Sequence, residues 1–114
     1  MPSRTGAQHL IDALAANGVK RIFGVPGESY LAALDALIEA DIDFIQCRHE
    51  AGAANMAEAQ GKLTGQPGIC FVTRGPGATQ AAVGVHTAFQ DSTPMILLVG
   101  QVRLEDEGRE GFQE

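Results

Sequence analysis

Residues 68–79 read GICFVTRGPGAT, an apolar run that ends in a glycine-rich loop and leads into helix-forming residues. The apolar run shows no strict alternation of polar and apolar side chains, which is typical of a strand buried on both faces of a parallel sheet. Three further runs have the same character: KRIFGV (20–25), DFIQC (43–47) and MILLVG (95–100). The sequence therefore predicts four strands in one parallel sheet.

Four segments with helical periodicity precede or separate these strands, at 5–18, 29–40, 50–65 and 77–91. The first ends at Asn17-Gly18, a typical C-cap, and Ser29 is the expected N-cap of the second. Alternation of helices and strands with short loops predicts an α/β fold. We expect a doubly wound parallel sheet with helices on both faces, a flavodoxin-like three-layer sandwich.

Two of the predicted helices carry apolar side chains at helical spacing, which indicates faces that pack on the sheet. They are Ala7, Leu10, Ile11 and Leu14 in the first helix, and Leu31, Leu34, Leu37 and Ile38 in the second.

Composition excludes several classes of protein. A length of 114 residues with 45% hydrophobic and 19% charged residues fits one globular core. The net charge of -6 and the absence of any basic run longer than Lys20-Arg21 argue against a nucleic-acid surface. No apolar stretch approaches the roughly 20 residues that cross a bilayer, and the N-terminus lacks a signal-peptide pattern. We therefore predict a cytoplasmic protein without a membrane partner.

The two cysteines, Cys47 and Cys70, are interpreted as buried free thiols in a reducing compartment. No C-x-x-C or H-x-x-x-H spacing supports a zinc site. The sequence therefore predicts no metal ligands in this chain.

An unusual stretch follows each predicted strand: GVPGES (24–29), RHE (48–50), TRGPGAT (73–79) and GQV (100–102). Ligands of open α/β sheets bind beyond the carboxyl ends of the strands, so these stretches indicate a site. Two other interpretations stay open. Tight turns need Gly and Pro in any case, and Glu50 could simply stabilise the N-terminus of its own helix. The glycine loop lacks the residues of a P-loop and of a dinucleotide fingerprint.

The acidic C-terminal segment, residues 103–114, holds two Arg against five Asp or Glu, a local net charge of 2 − 5 = −3. It is either a solvated tail or the front of a longer polypeptide, and we expect the second.

Four blocks carry a family resemblance, namely FGVPGES, RHEAGAANMAEAQGKLTGQPG, TRGPGATQAAVGVHTAFQDSTPMILLVGQV and GFQE. In order and spacing they resemble the N-terminal pyrimidine-binding (PYR) domain of thiamine-diphosphate enzymes, most closely the acetolactate synthase-like branch. The resemblance covers roughly residues 4–114. It implies the fold of that family, with residues 1–114 forming one PYR domain of a longer chain.

The resemblance also implies roles for single residues. Glu50 matches the catalytic glutamate that hydrogen-bonds N1′ of the cofactor's aminopyrimidine, with His49 as its frequent neighbour. Gln113 matches a second residue at the reaction centre, and Phe112 precedes it on the substrate side. Arg74 replaces the serine common in the glycine loop, which leaves its role open. The matched cofactor-binding residues are Val25, Pro26, Gly27, Glu50, Thr73, Gly75, Pro76 and Gly77, with Glu28 close by.

The implied activity is that of a lyase or transferase, a decarboxylase or carboligase that acts on 2-oxo acids such as pyruvate. The implied cofactors are thiamine diphosphate and Mg²⁺, while the resemblance leaves FAD open. Mg²⁺ and the diphosphate bind to a separate PP domain with a GDG motif, which this sequence lacks. That domain belongs to another subunit of a homodimer or homotetramer, so this chain alone is expected to be inactive. A non-catalytic binding module and a small-nucleotide binder are the alternatives.

Overall fold

The computed structural model describes residues 3–114, so the first two residues of the predicted domain lie outside it. Its helices are α1 (Gly6–Ala16), α2 (Leu31–Ile38), α3 (Glu50–Thr64) and α4 (Pro76–Asp91). Its strands are β1 (Arg21–Gly24), β2 (Asp43–Gln46), β3 (Gly68–Val72) and β4 (Met95–Val99). Short 3-10 turns occupy Glu28–Tyr30 and Leu104–Asp106. Within residues 3–114, no helix combines the length and apolarity that crossing a bilayer requires.

The four strands form one parallel sheet in the order β2-β1-β3-β4. In the register of the central pair, Phe23 lies opposite Cys70 and Gly24 opposite Phe71. The chain passes from β1 to β2 on one side of β1. It then crosses from β2 to β3, which pairs with the other side of β1. The carboxyl ends of β1 and β3 therefore flank the point where the winding reverses, which is where open α/β sheets bind ligands.

Helices cover both faces of the sheet, as the sequence predicts. Consecutive side chains of a strand point to opposite faces, and β1 shows this with Ile22 and Phe23. The core on the α1 and α2 face comprises Ile11, Ile22, Tyr30, Ala33, Leu37, Ile42, Ile69 and Phe71. The core on the α3 and α4 face comprises Phe23, Ala53, Ala54, Ala57, Cys70, Val72 and Ala81.

The second core consists mainly of small residues, which lets α3 approach its neighbours closely. A Cβ atom at Gly84 of α4 would lie 2.5 Å from the Cβ of Ala54 in α3. A Cβ atom at Gly68 of β3 would overlap the carbonyl oxygen of Ala57. Both glycines are therefore required by close approach and not by backbone conformation.

Two predictions about α2 are wrong. Ser29 is not its N-cap, because the turn Glu28–Tyr30 precedes the helix and Tyr30 occupies the cap position without a side-chain hydrogen bond. The predicted apolar stripe is also wider than the buried face, since Leu31 and Ile38 are 62% and 76% exposed. At about 100° per residue, Leu31 lies roughly 120° around the helix from the buried Leu37.

The two cysteines are free, but only one is fully buried. Cys70 lies at the centre of β3, whereas Cys47 follows β2, is half-buried and places its sulfur 3.7 Å from that of Met56. Burial, with smaller contributions from Cys47 and Glu50, raises the pKa of the Cys70 thiol to about 12. Cys70 is therefore a protonated core side chain at neutral pH.

Gly84→Ala should lower the free energy of unfolding by about 1–3 kcal/mol, because the added methyl group collides with Ala54. Gly52→Ala in α3 is the matched control. A Cβ there meets nothing within 4 Å, so stability should rise by about 0.5–1 kcal/mol. Urea unfolding followed by circular dichroism measures both, and equal effects would contradict the close packing of α3 and α4.

Cys47 should react with iodoacetamide in the folded protein at pH 8, while Cys70 should react only after unfolding. The reason is that alkylation requires an accessible thiolate, and burial denies Cys70 both access and ionisation. Peptide mass spectrometry at increasing urea concentration measures the two sites separately. Modification of Cys70 in parallel with Cys47 in native buffer would contradict the buried position.

Candidate functional site

The unusual stretches after the strands lie at one edge of the sheet, since all four strands are parallel. β1 pairs directly with β3, so the loop that begins at Val25 lies beside the loop that begins at Thr73. Glu50 begins α3 at the same edge, after β2. The candidate site is built from these three segments.

A hydrogen bond and a close contact join the first and third segments. The hydroxyl oxygens of Ser29 and Thr73 lie 2.7 Å apart. A Cβ at Gly27 would come within 2.7 Å of the Thr73 Cβ, so only glycine permits this approach. The Val25–Gly27 segment is thus held against the start of the glycine loop.

Tyr30 also holds the Val25–Gly27 segment in place. Its hydroxyl donates to the carbonyl of Val25, and the carbonyl of Phe71 is a second acceptor at 3.3 Å. Its ring stacks on that of Phe71, with centroids 4.0 Å apart and planes inclined by 12°. Burial, aided by the nearby Cys70 and Glu50, raises the pKa of Tyr30 well above its ordinary value. The hydroxyl therefore remains a donor at physiological pH.

Glu50 is the first residue of α3 and is half-buried. His49, which the sequence left without a role, is the N-cap, and its Nδ1 accepts from the Ala51 N–H at 3.1 Å. Across residues 3–114, the structure gives the Glu50 carboxylate no hydrogen bond or ion pair. Its Oε1 lies 3.6 Å from the position that a Cβ at Gly77 would occupy. The carboxylate is thus oriented toward the glycine loop and available to a ligand.

The C-terminal segment returns to this edge. Gly75 has φ +51°, and a Cβ there would overlap the carbonyl of Gln113, so glycine is needed both for conformation and for contact. Arg74 is 7% exposed, and its Nε donates to the carbonyl of Phe112 at 2.6 Å. The Phe112 side chain itself is 71% exposed.

The structure brings most of the predicted site residues together at one edge of the sheet and leaves a few exposed to solvent. Those at the shared edge are Val25, Gly27, Glu50, Thr73, Gly75, Gly77 and the backbone of Gln113. Pro26 is exposed, and Pro76 is the exposed first residue of α4. Sequence reasoning missed Ser29 and Tyr30, whose partners lie more than 40 residues away in β3 and its loop. The tyrosine three residues after the Pro26-Gly27 pair is the signal that could have indicated such a contact.

Residues 4–114 match the family model described as "Thiamine pyrophosphate enzyme, N-terminal TPP binding domain". The chain belongs to this family. It is 46% identical over 109 residues to a probable acetolactate synthase large subunit of Methanocaldococcus jannaschii, covering 96% of this chain and 18% of that protein. It is 41% identical over 109 residues to the acetolactate synthase isozyme 2 large subunit of Escherichia coli, covering 96% and 20%.

The chain therefore spans about a fifth of the length of the curated relatives that it matches. Thiamine pyrophosphate, also called thiamine diphosphate, carries an aminopyrimidine ring and a charged diphosphate. Glycines at the described edge let the protein's own segments pack closely, and the Glu50 carboxylate lies beside Gly77. Among residues 3–114, no cluster of three or more His, Cys, Asp or Glu side chains is arranged to hold a metal ion.

Tyr30→Phe should lower the free energy of unfolding by about 1–2 kcal/mol, because the buried Val25 and Phe71 carbonyls lose their shared donor. Thr87→Val is the matched control. It also removes one hydroxyl, but that hydroxyl bonds only the Val83 carbonyl within α4, so the change should stay below about 0.5 kcal/mol. Urea unfolding gives both values, and a Tyr30→Phe effect no larger than that of the control would contradict the anchoring role.

Proposed function

We propose that this chain is the cofactor-binding PYR domain of a thiamine-diphosphate-dependent enzyme of the acetolactate synthase type, a decarboxylase or carboligase acting on 2-oxo acids such as pyruvate. The observation that carries the proposal is the half-buried Glu50 carboxylate. It has no partner among residues 3–114 and faces an edge lined by Gly77 and Thr73. The relatives named above, whose names describe them as acetolactate synthase subunits, support the assignment.

Glu50 is the proposed catalytic residue. A carboxyl group at the ring nitrogen N1′ holds and exchanges a proton there. This role requires a carboxyl group that is not already hydrogen-bonded to or ion-paired with another side chain. Within residues 3–114, Glu50 meets this condition, whereas Glu58 of the same helix accepts from Thr93 at 3.0 Å and pairs with Lys62 at 3.1 Å. Thiamine diphosphate, when bound, supplies the carbon nucleophile and the electron sink for loss of CO₂ from a 2-oxo acid.

The two loops are the proposed walls of the ring pocket. Val25, Pro26 and Gly27 form one wall, and the segment from Thr73 through Gly75 and Pro76 to Gly77 forms the other. Their backbones are fixed by Tyr30 and by the contact between Ser29 and Thr73, so the pocket is preorganised before a ligand arrives. Phe112 and Gln113 are the proposed substrate-side residues, since Gln113 lies against Gly75.

The rest of the active site is proposed to come from outside this chain. The described residues hold a carboxylate and small side chains at the edge, which suits a pyrimidine ring and offers no ligand cluster for the Mg²⁺ that accompanies a diphosphate. A PP domain in a partner subunit of a homodimer or homotetramer would bind both, in the cytoplasm. Glu50 would then work only in the assembled enzyme.

Glu50→Gln in the complete protein that carries this chain should lower the turnover of pyruvate by at least about 100-fold, because the amide cannot exchange a proton at N1′. The fold should persist, with only a loss of about 0.3–1 kcal/mol from the helix N-terminus. Turnover measured with saturating thiamine diphosphate and Mg²⁺ tests this, beside the melting temperature.

Glu39→Gln is the matched control. Glu39 is an exposed carboxylate at the end of α2, and its removal should leave turnover unchanged. Near-normal turnover of Glu50→Gln would contradict the role of Glu50. If the unmodified protein consumed no 2-oxo acid with cofactor and Mg²⁺ present, the enzyme proposal would fail and a binding module would be favoured.

A further inference from the structure

Arg74 is a buried charge in the middle of the glycine loop. Only 7% of the residue is exposed, and it directly follows Thr73 at the end of the central strand β3. A buried guanidinium is costly unless its N–H groups are satisfied. Its Nε donates to the Phe112 carbonyl at 2.6 Å, and its Nη2 donates to Glu28 Oε1 at 3.1 Å.

These two acceptors come from different parts of the chain. Glu28 belongs to the turn after β1, and its side chain is 62% exposed. Phe112 lies in the C-terminal segment, 38 residues beyond Arg74. A planar guanidinium presents N–H groups in fixed directions, so one Arg can hold both acceptors at once. A lysine ammonium lacks this geometry. Arg74 thus joins three segments of the candidate site.

Few contacts hold the C-terminal segment in place. Within residues 3–114, the Arg74 to Phe112 bond is the one hydrogen bond that connects residues 101–114 to the rest of the molecule. The other hydrogen bonds of the segment are internal. For example, the Glu114 carboxylate accepts from the N–H groups of Gly108 and, at 3.0 Å, Gly111.

The segment also spans open space instead of packing on the core. A cavity of about 590 Å³ lies between it and the turn after β1, lined in part by Glu28, Ser29, Arg74, Val102 and Phe112. Gln113 has φ +61°, a conformation that residues with a side chain rarely adopt. The position of Phe112 and Gln113 is therefore not set by burial.

We propose that Arg74 is a positioning residue that clamps the backbone at Phe112 and so places Phe112 and Gln113 at the cofactor edge, with Glu28 orienting the guanidinium. The inference rests on the proposed function for its catalytic consequence. The clamp itself rests on geometry alone. Gly75 complements the clamp, because its missing Cβ lets the Gln113 carbonyl lie against the loop.

Arg74→Ala in the complete protein should increase amide hydrogen exchange of residues 101–114 by about tenfold or more, because the hydrogen bond that joins them to the other described residues is lost. Exchange in β3 should stay unchanged. Arg74→Lys should reproduce most of the increase, and Glu28→Gln should give a smaller one. Arg21→Ala, which removes an exposed arginine at the start of β1, is the matched control.

The kinetic test separates positioning from folding. Arg74→Ala should lower kcat/KM for pyruvate by about 10- to 100-fold, because misplacing Phe112 and Gln113 slows the reaction. The dissociation constant of thiamine diphosphate should change by less than about threefold, since the Ser29–Thr73 contact and the Tyr30 hydrogen bond that hold the pocket walls remain. If Arg74→Ala does not fold, kcat/KM for pyruvate and the dissociation constant of thiamine diphosphate are compared in Arg74→Lys and Glu28→Gln instead.

Unchanged exchange in residues 101–114 would overturn the clamp. Increased exchange with unchanged kcat/KM would overturn its catalytic role. An unmodified protein without any thiamine-diphosphate-dependent activity would contradict the proposed function instead, and the exchange measurement would still decide whether Arg74 holds the segment.

Discussion

The pairing of β1 with β3 is the constraint on which the site depends. It places Gly24 opposite Phe71, and a Cβ at Gly24 would collide with the Phe71 carbonyl and approach the Phe44 ring to 2.7 Å. With glycine there, the strands end side by side and their loops emerge together. The contact of Ser29 with Thr73 and that of Tyr30 with Phe71 both require this adjacency.

Charged side chains that are wholly or partly buried in this protein differ in whether the protein provides them with a partner. Arg74 and Glu58 are buried and paired, which is how proteins tolerate interior charge. Glu50 is only half-buried, and the described residues give it no partner. The proposed contact with the cofactor would give Glu50 the partner that the described residues do not.

The sequence predicted much of the fold. The four strands and α1, α3 and α4 follow from local patterns, namely short apolar runs and residues with helical periodicity. The prediction failed at Ser29. Its hydroxyl does not cap α2 but contacts the hydroxyl of Thr73, 44 residues away. The sequence also assigned no role to Arg74, because nothing near that position reveals a carbonyl 38 residues downstream. Glu50 could be placed at the edge by spacing, but its lack of a partner is a property of the folded chain.

The position of Glu50 depends in turn on packing far from the edge. It is the first residue of α3, so the distance between that helix and the sheet determines how far the carboxylate stands from the glycine loop. Gly68 and Gly84 let β3 and α4 approach the backbone around Ala57 and Ala54 with no intervening side chain. A larger residue at either glycine would push α3 outward along its length. The small residues of the second core therefore contribute to the site, because they determine how close the Glu50 carboxylate stands to Gly77.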